Sequence, residues 1–139
     1  MKIRSYCLSD KDSVMSLWKE VFNPQKSHND PETVIDMKIK QNDGLFFVAE
    51  ENHQIIGTII AGFDGHRGWL YSLTVLPQHR RKGLGTSLVN KAMGELKKLG
   101  CLKANLQIYS DNKEVVDFYK KIGFLIEDRI SMGIRLLKK

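Results

Sequence analysis

The sequence predicts a mixed α/β (α+β) fold: a mostly antiparallel, twisted sheet of about six or seven strands flanked by about four helices, in one domain over residues 1–139. Three observations carry that expectation. First, β-forming runs at 45–50, 55–63 and 69–75 are separated by turn-forming clusters, which describes an antiparallel meander. Second, the third run stops at Pro77, where the missing N–H ends a ladder, and basic residues and two glycines then open an amphipathic segment. Third, another β-forming run at 101–108 follows that segment. A strand, a right-handed helical crossover and a strand make this last pair parallel and adjacent.

Taken in order, residues 2–6 alternate as a short strand, and Ser9 or Asp10 can cap a helix to about Phe22 with Val14, Leu17, Trp18 and Val21 on one face. Residues 23–29, with Pro24 and His28, read as a polar loop. Asp30 and Pro31 then start a second helix, the aspartate as its cap and the proline at its first position. Residues 51–54 form a tight hairpin around Asn52. A second reversal, Asp64-Gly65-His66-Arg67-Gly68, leads into the strand at 69–75. From Gly85 onward Leu88, Ala92, Leu96 and Leu99 recur at helical spacing, so this helix has one apolar face. Ser110-Asp111-Asn112 can cap a last helix ending at Gly123, and runs at 124–126 and 130–137 complete the sheet.

A chain of 139 residues can bury a single core without staples, and an apolar fraction of 42% suits a globular protein. No apolar run approaches the roughly 18 residues a membrane span needs. The opening MKIRSYCLSD lacks the apolar stretch of a secretory signal, which points to the cytoplasm. Cys7 and Cys101 show no CxxC spacing, so buried free thiols are expected and no metal is implied. Monomer and homodimer both remain open. The net charge of +6 favours a polyanionic partner, either nucleic acid or a phosphate-rich cofactor. Nucleic-acid binders spread Lys and Arg along a face and interleave aromatics. Here the densest basic cluster, His79 to Lys82, sits in the glycine turn, which favours the cofactor.

At that turn, Gly83 and Gly85 let the backbone approach a ligand, and the first N–H groups of the following helix have no partner within it. Together with the macrodipole these make a place for phosphate oxygens. The run Arg80-Arg81-Lys82-Gly83-Leu84-Gly85 resembles the Gln/Arg-x-x-Gly-x-Gly/Ala signature of the GNAT superfamily of N-acetyltransferases. It has neither the Gly-Lys-Ser/Thr of a Walker loop nor the third glycine of a dinucleotide fingerprint. A second stretch, Asn112-Lys-Glu-Val115-Val-Asp-Phe118-Tyr119-Lys-Lys-Ile-Gly123-Phe124, resembles the family's Asn-x-x-Ala-x-x-Leu/Phe-Tyr-x-x-x-Gly-Phe motif, with Val115 in place of alanine. More broadly, the chain is similar to the YpeA group of small acetyltransferases through Asn29-Asp30-Pro31-Glu32, residues 45–50 and the segment from Gly62 to Gly68.

The resemblance implies acetyl-coenzyme A as cosubstrate, its pyrophosphate on the main chain of Arg81, Lys82, Gly83, Leu84, Gly85 and Thr86, with Arg80 adding charge. It places the pantetheine arm along the edge of Leu73, Thr74 and Val75, and a main-chain N–H there faces the thioester oxygen. It makes Asn112 a cofactor contact, although a helix cap explains that residue equally well. It makes Tyr119 the general acid, a phenol of pKa about 10 that stays protonated at pH 7; a packed aromatic is the alternative. Many relatives carry a glutamate on the strand before the turn, but Trp69-Leu70-Tyr71-Ser72-Leu73-Thr74 has no carboxylate. Asp64 and His66, acting through water, and Glu50 are the candidate bases. His28, Asp30 and Glu32 are candidate acceptor contacts.

The reaction expected is direct transfer of an acetyl group to a protein N-terminus, a lysine or a small amine. Freeing a lysine amine of its proton costs about 4.6 kcal/mol at pH 7 and an α-amine about 1, so a site without a strong base favours the less basic acceptor. A non-catalytic coenzyme A-binding regulatory module and a basic nucleic-acid-binding protein are the alternatives.

Overall fold

A computed structural model describes residues 1–22 and 30–137. The loop expected at 23–29, with His28 and Asn29, lies outside the described residues. The chain forms two compact units, residues 1–107 and residues 108–139.

The first unit contains β1 (Lys2–Ser5), α1 (Lys11–Val21), α2 (Pro31–Gln41), β2 (Phe46–Glu51), β3 (Gln54–Phe63), β4 (Gly68–Val75), α3 (Leu84–Lys98) and β5 (Ala104–Asn105). The strands lie side by side in chain order. The first three pairs are antiparallel and β4–β5 is parallel, as the crossover through α3 requires. The β2–β3 reversal places Asn52 at φ 52° and His53 at φ 64°, the left-handed pair of a two-residue hairpin turn. Asp30 caps α2 by accepting from the Glu32 amide at 3.0 Å and from the Thr33 hydroxyl. Before α1, Asp10 takes two hydrogen bonds from the Arg4 guanidinium (2.8 and 2.9 Å) and one from the Cys7 amide (2.8 Å). Arg4 thereby holds the Asp10 carboxyl below the ordinary carboxylate range.

Helices cover both faces of the sheet, and β3 shows why. Adjacent residues on a strand point to opposite sides. Thr58 meets Trp18 of α1, whereas a Cβ on Gly57 would lie 3.0 Å from Leu88 of α3 and 2.9 Å from the Thr74 carbonyl oxygen. Hence Phe46 to Ala49 and Ile55 to Ala61 are buried without alternation, as in a strand packed on both sides. Glycine at position 57 lets the first turn of α3 sit close to the sheet, beside the end of β4.

The second unit holds α4 (Lys113–Lys121). The Asn112 side chain caps it by accepting from the Val115 amide at 3.3 Å. Gly123, at φ 109°, ends it, its N–H bonded to the Lys120 carbonyl.

The sheet departs from the sequence expectation in strand number: it has five strands among the described residues, not six or seven. The run at 101–108 contributes only Ala104–Asn105, and no strand is assigned at 124–126 or 130–137. Ile130, Met132, Ile134 and Leu136 do alternate, but alternation fixes only which side chains share a face, and these four are exposed. A strand also requires a ladder in register, which the spacing of one segment cannot supply. Four α-helices are present among the described residues, and none is long and apolar enough to cross a membrane.

Candidate active site

The basic turn grows directly out of β4. Leu76 donates to the Ile56 carbonyl at 2.9 Å, and a single turn of 3₁₀ helix at Pro77–His79 follows. Arg80 folds back so that its Nε donates to the Val75 carbonyl at 3.0 Å, and His79 Nδ1 lies 3.5 Å from Glu51 Oε2. Two of the four basic residues therefore anchor the turn, and Arg81 and Lys82 remain exposed. Arg81 (φ 64°) and Gly83 (φ 82°) are both left-handed, and Gly83 is the N-cap of α3.

The first backbone bond into α3 runs from the Ser87 amide to the Gly83 carbonyl. Among the described hydrogen bonds, none takes a main-chain N–H of Arg81 to Thr86, and nothing stands within 4 Å of where a Gly83 Cβ would be. A left-handed bend at an uncapped helix start turns successive amides toward one concavity, a geometry suited to a diphosphate.

Upstream, β4 carries a bulge that the sequence does not announce. Thr58 pairs with Thr74 and Ile60 with Tyr71, so Ser72 and Leu73 together stand opposite Ile59. Ser72 is left-handed at φ 53°. Its carbonyl accepts from Thr58 Oγ1 at 2.9 Å and from Thr74 Oγ1 at 3.1 Å, while Thr58 Oγ1 itself accepts from Trp18 Nε1 at 2.9 Å. On the opposite edge, β5 pairs only with Gly68 and Trp69, so Leu73, Thr74 and Val75 lie where no β4–β5 pairing is assigned among the described residues. A lone threonine in the apolar run of β3 was the available signal for this network. For the Ser72 bulge there was none.

The other candidates have structural work of their own. Asp64 Oδ1 accepts from the amides of His66 and Arg67, both at 2.7 Å, and those bonds, Arg67's first, hold its carboxyl below the usual range. His66 lies in the same turn. That turn precedes β4 and the basic turn follows it, which at about 3.3 Å per residue puts them roughly 25 Å apart. Glu50 is paired with Arg4 at 3.0 Å, and Glu32 with Lys11 at 2.9 Å. A cavity of about 230 Å³ bordered by Tyr6, Lys38 and Phe46 adjoins the β1–β2 end of the sheet and includes no residue of the basic turn. No cluster of three or more His, Cys, Asp or Glu that could hold a metal is present among the described residues.

In the second unit Tyr119 is buried, its ring edge-on to Phe118 (5.0 Å) and Phe124 (5.2 Å). Burial pushes its phenol up to about 12. Asn112 is occupied as a cap through its Oδ1, which leaves its side-chain NH₂ as a donor.

A mixed sheet whose bulged fourth strand runs into an amide-lined turn and a helix defines an α/β domain. The chain belongs to the acetyltransferase (GNAT) family, whose profile matches residues 11–124. Solved structures share the fold at low identity. Ard1 from Thermoplasma volcanium is 22% identical with a TM-score of 0.79, over 91% of this chain and 83% of that one. The PaiA N-acetyltransferase of Thermoplasma acidophilum, in complex with coenzyme A, is 20% identical with a TM-score of 0.77, over 93% and 92%. Glucosamine-6-phosphate N-acetyltransferase from Arabidopsis thaliana is 24% identical with a TM-score of 0.71, over 97% of each chain.

Proposed function

We propose that the protein is an acetyl-coenzyme A-dependent N-acetyltransferase of the small, single-domain YpeA-like kind, working in the cytoplasm. Both cysteines are free thiols, though not the buried ones expected, Cys7 being exposed and Cys101 half-buried, and free thiols suit a reducing compartment. The observation that carries the activity is the left-handed Arg81–Gly83 turn at the start of α3, whose amides have no acceptor among the described hydrogen bonds. Those amides, with the exposed Arg81 and Lys82, hold the pyrophosphate of the cosubstrate. The edge at Leu73 to Val75 pairs with its amide-bearing arm and presents an N–H to the thioester oxygen. The cosubstrate supplies an acetyl group activated as a thioester. Asn112 contributes its remaining donor.

Tyr119 Oη, protonated across the working pH range, is the hydrogen-bond donor to the departing sulfur. Its raised pKa limits that role. Complete proton transfer from a phenol near 12 to a thiolate of pKa about 8.5 is uphill by about 5 kcal/mol, so the hydroxyl stabilises the sulfur and solvent closes the proton balance.

No carboxylate stands on β4, and Asp64 is a weakened base at the far end of the strand. His66, reached through water, is the remaining base of that turn. The acceptor that fits such a site is an amine already partly neutral at pH 7, an α-amine or a small amine of lowered pKa, in preference to an ordinary lysine. One of the structurally similar proteins is named for an amino-sugar phosphate. The missing strand carboxylate also supports a second reading, a coenzyme A-binding module without turnover.

The test is thiol release from acetyl-coenzyme A over a panel of amines, N-terminal peptides and lysine peptides. Turnover is expected, and Tyr119→Phe should cut kcat about 30-fold while coenzyme A affinity stays within about 3-fold. Tight cofactor binding with no turnover over the whole panel would establish the second reading instead.

A further inference from the structure

The buried polar chain beneath β4 has no role in the reading above. Thr58 and Thr74 are buried in the core, and Trp18 is as deeply buried. The Trp18 indole N–H donates into the Thr58 oxygen, and an indole nitrogen is a donor only. The hydroxyl's own proton is thereby directed to the Ser72 carbonyl. The Thr74 hydroxyl supplies a second donor to the same oxygen, so both of its lone pairs are engaged.

The consequence follows from covalent geometry. The Ser72 carbonyl and the Leu73 N–H belong to one planar, trans peptide unit, in which C=O and N–H point in opposite directions. The bond from Thr58 draws the oxygen toward β3, while Thr74, two residues along β4 itself, occupies its second lone pair, so the Leu73 N–H points away from β3, toward the edge of β4 that β5 leaves after Trp69. A left-handed serine in mid-strand is a costly conformation, of the kind that persists where its surroundings over-determine it.

We propose that Thr58, oriented by Trp18, is a positioning residue that fixes the Ser72–Leu73 peptide plane and so makes the Leu73 amide the donor to the thioester oxygen. This rests on the acetyltransferase reading. It adds a dependence of catalysis on a hydroxyl and an indole that touch neither substrate nor cofactor.

The experiment compares Thr58→Val, which keeps the shape and removes the hydroxyl, with Thr58→Ser, which restores it, and with Trp18→Phe, which removes the orienting N–H together with part of a buried ring. Steady-state kinetics, coenzyme A affinity and the ¹⁵N–¹H signal of Leu73 are recorded for each. Thr58→Val should lower kcat 10- to 100-fold with coenzyme A affinity within about 3-fold, because the diphosphate turn is untouched. Thr58→Ser should recover kcat to within about 3-fold of wild type, and Trp18→Phe should lose about 3- to 10-fold. Acetyl-coenzyme A should shift the Leu73 signal in wild type and not in Thr58→Val.

An active wild type whose Thr58→Val variant keeps kcat within 2-fold, or loses kcat and coenzyme A affinity together, overturns this proposal and leaves the acetyltransferase reading standing. Should Thr58→Val not fold, Thr58→Ser and Trp18→Phe decide it through the same kcat split. Should the wild type show no turnover, the acetyltransferase reading fails and the Leu73 signal decides alone: a shift present in wild type and lost in the variants upholds the positioning role, and no shift ends it.

Discussion

The hairpin between β2 and β3 and the segment from β4 into α3 both hold non-glycine residues in the left-handed region, and they are held there by different means. At Asn52 and His53 the turn is its own support: a two-residue reversal between twisted strands demands positive φ at both positions, and asparagine accepts it at little cost. At Ser72 and Arg81 no such local demand exists. Ser72 interrupts a strand, its carbonyl held by Thr58 of the neighbouring strand and by Thr74 two residues along its own, and Arg81 precedes an uncapped helix start. The first conformation serves the fold. The second presents backbone N–H groups outward, which the fold alone does not require.

The largest break in this contrast should come at Gly83. A glutamate there must adopt φ near 82° and brings a negative charge into the amide-lined bend, while nothing lies within 4 Å for its Cβ to strike. Gly83→Glu should leave the fold intact by circular dichroism and weaken coenzyme A binding at least about 100-fold by calorimetry, through like-charge repulsion and lost amide access. Binding within 3-fold of wild type would refute the diphosphate turn.

The contrast extends to ionisation. Asp64 is satisfied by its own turn, whose amides lower its pKa, whereas the surroundings of Tyr119 impose a shift in the opposite sense. A phenol at about 10 when unfolded and about 12 when folded favours the folded state in its neutral form, so that stabilisation is complete below pH 10 and lost as pH rises from 10 through 12. The loss should amount to about 2 kcal/mol, read from urea unfolding at a series of pH values. Tyr119→Phe should flatten this part of the profile. Activity should show no basic limb from Tyr119 below pH 10.

How far each region could be read from residues follows the same division. Self-supporting features were legible: the Asn52 hairpin, the Asp30-Pro31 helix start, the Asn112 cap and the glycine that opens α3 each carry their reason within a few residues. Features supported from a distance were not. The Ser72 bulge depends on Thr58 and Trp18, far away in sequence, and strands in the last third of the chain required ladder partners that no local pattern names. Asp64 and His66, close to the basic turn in sequence, are separated from it by the eight residues of β4.

Two smaller effects sharpen the comparison from the structural side. Asn52→Val should cost about 1 to 2 kcal/mol in urea unfolding, since a β-branched residue fits the left-handed region poorly, and should leave thiol release unchanged. Arg81→Gly tests the functional side with the opposite sign. Glycine removes the steric cost at φ 64° but gains freedom in the unfolded chain, so the net change in stability should be small, about 0.5 kcal/mol in favour of the variant. Because the Arg81 side chain is exposed, loss of its charge should weaken coenzyme A only about 3-fold, and by less as salt is raised. A variant more stable than the parent yet poorer at holding the cofactor shows that the left-handed arginine is kept for binding. A variant that is less stable with unchanged affinity would mean that Arg81, like Asn52, serves only the turn.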